Sequence, residues 1–148
     1  MKKILIATDG SESGLAAIAT GLELAADENA DVVFVYVGVL VDLGFRIDSD
    51  APPNRVPRPE SQPVLAQALE LAEEKGVPAR AELLMGYAPK QIARLADDLD
   101  VDLIVVGTRR LGRMKRAILG STARELLATT KRPLLIAGET RTLQQTPA

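Results

Sequence analysis

Short, unbroken apolar runs alternate with segments of helical periodicity along this chain, and that alternation constrains the fold more than any other feature. "KILIA" (Lys3 to Ala7), "DVVFVYVGVL" (Asp31 to Leu40), "DLIVVG" (Asp102 to Gly107) and "RPLLIAG" (Arg132 to Gly138) are apolar at nearly every position. A strand with one wet face alternates polar and apolar residues. A continuous run fits a strand buried on both faces, as in a parallel sheet covered by helices. "ARAELLM" (Ala79 to Met85) is a fifth, more polar run and is expected nearer an edge.

Helical patterns fill the gaps. From Ser11 to Asp27, Leu15, Ile18, Leu22 and Ala25 recur at helical spacing, with Ser11 as the N-cap. "SQPVLAQALELAEEK" (Ser61 to Lys75) puts Leu65, Ala68, Leu69 and Ala72 on one face. Pro63 suits its first turn, where a missing N–H is harmless, and Gly76 marks its end. From Pro89 to Leu99 the stripe is Ile92, Leu95, Ala96 and Leu99. The last helix begins near "STARELL", where Thr122 and Glu125 have capping-box spacing. The order β-α-β-α-β-α-β-α-β predicts right-handed crossovers and a three-layer α/β domain. One segment breaks the rhythm. Val41 to Ser61 holds four prolines and reads as a long loop, either without a dedicated role or covering a site. Residues 141–148 read as a flexible tail.

Composition removes several classes of function. The 148 residues include no Cys and no His, which excludes disulfides, thiol nucleophiles, the usual zinc sites and a Ser-His-Asp relay. Two Tyr, two Phe and no Trp leave little for stacking bases or a flavin ring. A net charge of -2 gives no global attraction to nucleic acid or membrane. The first apolar run is too short for a secretory signal, and no run reaches membrane-spanning length, so a cytoplasmic protein is expected.

Two polar clusters follow strands, where open parallel sheets bind ligands. In "ATDGS" (Ala7 to Ser11), Asp9 stands at a strand-to-helix turn. It suits a ribose hydroxyl or a magnesium ion, or it simply caps the helix or turns with Gly10. In "GTRRLGRMKRAILGST" (Gly107 to Thr122), Gly107 permits a sharp turn or close approach to a ligand. Gly120, Ser121 and Thr122 open a helix whose first N–H groups and dipole attract anions. Arg109, Arg110, Arg113, Lys115, Arg116 and Arg124 surround them without a carboxylate between Leu103 and Arg124. That cluster is either a polyphosphate site or a solvated basic loop.

The opening "KKILIATDGSESG" together with "DLIVVGTRR…LGSTARELL…RPLLIA" resembles the universal stress protein domain, over about residues 2–138. The resemblance implies a Rossmann-like, adenine nucleotide α-hydrolase-like fold: one domain over residues 1–140, with a five-stranded parallel sheet of order 3-2-1-4-5. It implies a homodimer formed through the last strand, residues 133–138. It also implies a stress-response regulator that binds ATP, with Mg, or another adenine nucleotide, and hydrolyses it weakly or not at all. Ala7, Thr8 and Asp9 would contact adenine and ribose, Val37 and Val106 would wall the adenine, and Gly107, Arg109, Gly120, Ser121 and Thr122 would lie along the phosphates. The ATP-binding branch carries G-x2-G-x9-G-[ST]. Gly107, Gly120 and Ser121 fit it, but Arg110 holds the second glycine place. Arg110 either strains or fills the site, or swings outward as a phosphate donor. The alternatives are a member that has lost nucleotide and acts through protein contacts, and a slow ATPase or nucleotidyl-transfer enzyme.

Overall fold

The computed structural model describes residues 1–38, 54–55, 58–108 and 119–138. Strands β1 (Lys3–Ala7), β2 (Asp31–Gly38), β3 (Asn54–Arg55), β4 (Ala79–Met85), β5 (Leu103–Gly107) and β6 (Leu134–Ala137) form one sheet. Helices α1 (Glu12–Glu28), α2 (Pro63–Glu74), α3 (Ala88–Asp98) and α4 (Ser121–Thr129) connect them. The spatial order is β3-β4-β2-β1-β5-β6. All pairings are parallel except that β3 lies antiparallel on β4. The five parallel strands therefore run in the expected 3-2-1-4-5 order.

The unbroken hydrophobicity of the central strands follows from their position. Ile4, Leu5 and Ile6 of β1 have no exposed surface. Side chains alternate across a strand, so Ile4 and Ile6 join Val32, Phe34 and Val105 beneath α1 and α2. Leu5 joins Val33, Val35, Ile104 and Val106 beneath α3 and α4. Each face is apolar because each is covered.

Helix α1 departs from its expected stripe. Ile18, Leu22 and Ala25 are buried, but Leu15 is 41% exposed. Gly14, Ala17 and Gly21 complete the buried face instead. The helix sits close on β1: a Cβ on Gly21 would fall 2.4 Å from Cδ1 of Ile6. Close approach selects small residues and turns the larger Leu15 aside. In α2, Pro63 occupies the first turn, and Gly76 beyond the end has φ +68°. Among its described residues, the segment expected as one long loop contains β3 and a 3-10 turn, Pro59–Ser61. Residues 39–53, 56–57 and 139–148, the tail included, lie outside the described residues.

The amino ends of the strands are tied together. The Asp102 carboxylate accepts from the backbone N–H of Lys2 at 2.7 Å and of Lys3 at 3.0 Å. These bonds hold its carboxyl below the ordinary value of 3.8. Arg132 spans Asp97 and Asp100 at 2.9 Å each and donates to the Val101 carbonyl at 2.8 Å. The cleft lies at the opposite, carboxyl ends.

Candidate functional site

After β1 the chain crosses the sheet to β2, and it returns to the other side of β1 only at β5. The helices that follow β1 and β5, α1 and α4, lie on opposite faces, and the crevice lies between the carboxyl ends of the two strands. A cleft of about 160 Å³ occupies that point. This is on the order of ten times the space that one water requires, so it is no packing flaw. Ala7, Thr8, Asp9, Val37, Val106, Gly107, Gly120, Ser121 and Thr122 all line it. Arg109 and Arg110 lie outside the described residues, as do Arg113, Lys115 and Arg116.

The β1 rim is built by a turn. Gly10 has φ +83°, the left-handed region that favours glycine. Oδ1 of Asp9 accepts from the Ser11 N–H at 2.9 Å and from the Ser11 hydroxyl. The Ser11 hydroxyl oxygen in turn accepts from the Gly14 N–H at 3.2 Å, capping α1 as expected. Asp9 thus turns with Gly10 but does not itself cap the helix. Thr8, buried at the floor, donates its N–H to the Val35 carbonyl at 3.0 Å.

Gly107 has a packing role set by what lies beside it. A Cβ there would fall 2.1 Å from the carbonyl oxygen and 2.5 Å from the carbonyl carbon of Ser13. The first turn of α1 approaches β5 closely at this point. Gly107 lines the cleft, yet its missing side chain serves packing between helix and strand.

The opposite rim is the start of α4. Gly120 is its N-cap, with extended backbone and no side-chain capping bond. The expected capping box does not form. Thr122 sits inside the first turn, and Glu125 instead accepts from the Tyr87 hydroxyl at the start of α3. That hydrogen bond, then burial, raises the Tyr87 hydroxyl above its ordinary 10.0. The chain enters α4 through a glycine, which has no side chain to cap the first N–H groups.

Between the rims the walls are apolar. Val37 and Val106 are joined by Val35 from β2 and by Ala88 and Ile92 from α3. These last three were missed in the sequence, as were Ser13, Gly14, Thr108 and Ala123. The i, i+4 spacing of Ala88 and Ile92 and the i, i+2 spacing of Val35 and Val37 place each pair on one face. Asp9 is the one carboxylate among the described lining residues. Among the described residues no group of three or more His, Cys, Asp or Glu gathers to hold a metal.

The profile of the universal stress protein family matches residues 1–138. The chain belongs to that family. It is 31% identical over 142 residues to a universal stress protein of Methanocaldococcus jannaschii, covering 91% of this chain and 81% of the relative. Two solved structures show the same fold. A universal stress protein in complex with cAMP aligns with TM-score 0.69 and 23% identity, over 94% of this chain and 98% of the other. One from Archaeoglobus fulgidus in complex with dAMP aligns with TM-score 0.67 and 22% identity, over 93% and 98%.

Proposed function

We propose that this universal stress protein binds ATP or another adenine nucleotide in the cleft between β1 and β5, and acts as a regulator rather than a catalyst. One observation carries the reading: the cleft joins an apolar slot, a lone carboxylate and a helix start without a capping side chain. Those three surfaces match the three parts of a nucleotide. The purine enters between Val37 and Val106, where apolar walls suit a flat ring. The ribose lies against Asp9, whose carboxylate accepts from hydroxyls. The phosphates meet the first N–H groups of α4 and the hydroxyls of Ser121 and Thr122, where amides and the helix dipole favour anions. Arg109 and Arg110, outside the described residues, are the cations proposed to add to this anion-binding end. Mg²⁺ arrives on the phosphate oxygens, its usual mode of binding, with Asp9 within the same site. The cAMP and dAMP complexes of the two relatives support the ligand class.

Hydrolysis is weak or absent in this reading. A water attacking the terminal phosphate needs a base or an orienting group. The chain has no His or Cys, and Asp9 lies at the ribose end. Two copies pair through β6, an edge strand whose Leu134, Leu135 and Ile136 are only half-buried.

The test uses the pigment-poor chain. With two Tyr and no Trp the protein absorbs weakly near 280 nm. A co-purifying adenine nucleotide would dominate its spectrum near 260 nm, and calorimetry with Mg-ATP would give saturable heats on the nucleotide-free protein. A clean spectrum with no heat of binding and no thermal shift would sink the proposal. It would favour the second reading, in which Arg110 at the glycine place closes the site and the protein works through protein contacts.

A further inference from the structure

We infer that Ser11 is a positioning residue that fixes the Asp9 carboxylate and thereby sets how strongly the cleft prefers a nucleotide with ribose hydroxyls over one without them. The inference rests on the adenine-nucleotide reading above and deepens it. Ser11 makes three contacts at once. Its N–H and its hydroxyl both donate to Oδ1 of Asp9, and its hydroxyl oxygen accepts from the Gly14 N–H. Both of these bonds to Asp9 go to the same oxygen. These bonds restrain the carboxylate, and among the described residues Oδ2 accepts no hydrogen bond. Gly14 makes the arrangement possible by its lack of a side chain. A Cβ there would lie 2.8 Å from Oδ1 of Asp9 and 2.6 Å from Oγ1 of Thr8. The clamp and the space beside it come from the same helical turn, and Ser11 and Gly14 both line the cleft.

The chemistry selects the partner of Oδ2. An ionised carboxylate only accepts hydrogen bonds and repels phosphate oxygens. In the adenine-nucleotide reading its hydrogen-bonding partner is a donor, and the donors of the ribose are the 2′ and 3′ hydroxyls. A fixed acceptor collects the full value of such a bond, whereas a rotating one loses part of it to ordering. Charge-assisted hydrogen bonds are the stronger kind.

The experiment compares ATP with 2′,3′-dideoxy-ATP, in magnesium buffer, by titration calorimetry. Wild type is expected to prefer ATP by on the order of tenfold. Ser11→Gly removes the hydroxyl but keeps a good N-cap, since glycine there costs a helix little. It is expected to narrow the preference to about threefold or less while leaving dideoxy-ATP affinity within about twofold. Ser11→Thr, which restores a hydroxyl, is expected to restore the preference. Asp9→Asn is expected to abolish it, and adding Ser11→Gly to Asp9→Asn to change nothing further. If Ser11→Gly weakens both ligands equally, or retains the wild-type preference, Ser11 acts only as a cap and the inference fails. Wild type binding both ligands equally also overturns it and leaves the nucleotide reading intact. Wild type binding neither overturns both.

Discussion

Replacing Gly107 with alanine tests the packing that shapes the cleft. The new methyl group would fall 2.1 Å from the Ser13 carbonyl oxygen, where real Cβ contacts stay beyond 3.0 Å. Ser13 or β5 must therefore retreat by at least about 0.9 Å, the difference between those distances. Neither yields easily. The obstructing atoms are backbone in the first turn of α1, and β5 is held in register by β1 and β6. Overpacking of this kind costs roughly 1–3 kcal/mol. For a chain of this size each kcal/mol lowers the melting temperature by about 2–4 °C, so a fall of roughly 2–12 °C is expected. Thermal unfolding followed by circular dichroism measures it. Gly76→Ala is the companion: its Cβ meets open space, but φ is +68°, so its cost is backbone strain alone, about 1–2 kcal/mol. The two variants differ further at the cleft. Displacing Ser13 also disturbs the turn that holds Asp9, so in the proposed reading Gly107→Ala is expected to weaken Mg-ATP affinity and Gly76→Ala is not. A Gly107→Ala protein that melts within 1 °C of wild type, on the order of the smallest shift such an assay separates, would refute the close approach of α1 to β5.

Leu126→Ala, which empties a fully buried position in α4, is expected to cost about 2–5 kcal/mol in urea unfolding, whereas exposed Leu15→Ala changes stability by no more than about 0.5 kcal/mol. Tyr87→Phe removes the bond to Glu125. Because folding raises the Tyr87 hydroxyl above 10.0, the bond stabilises fully below that pH and its contribution is lost as pH rises through the folded-state value. Melting curves of wild type and Tyr87→Phe are therefore expected to differ at neutral pH and converge in strong alkali. Asp102→Asn has the opposite dependence. Its carboxyl is lowered by the Lys2 and Lys3 amides, so its contribution is present above 3.8 and is lost as pH falls through the folded-state value. The stability gap between wild type and Asp102→Asn is expected to close in acid.

Much of the architecture was legible because burial on both faces leaves a mark that needs no partner to interpret. "KILIA" and "DLIVVG" are apolar throughout for the reason observed: Ile4 and Leu5, adjacent in sequence, enter different cores. The strand order was not legible in that way and came with the family resemblance. Distant approaches were also hidden. Nothing near Gly107 in sequence says that Ser13, over ninety residues earlier, leaves no room for a methyl group. Leu15 matched helical periodicity, but periodicity does not reveal how closely a helix sits on its sheet. Thr122 and Glu125 had the spacing of a capping box, yet Tyr87 from another helix claims the glutamate. At the cleft, the polar residues stood out because Asp, Gly, Ser and Thr interrupt apolar runs. Val35, Ala88 and Ile92 did not stand out, since a valine that walls a ligand reads like a valine that fills a core.

The central place of β1 has a consequence for synthesis. The strand most deeply enclosed in the finished sheet precedes all the strands that pack beside it. One of its two neighbours, β5, is encoded nearly a hundred residues later: Lys3 and Asp102, bonded at that seam, are 99 positions apart. Until then one side of the nascent strand has open amides and carbonyls, so the sheet closes there only after residues 103–105 have been made. Premature termination before residue 103 would leave an aggregation-prone edge where the mature molecule has its centre.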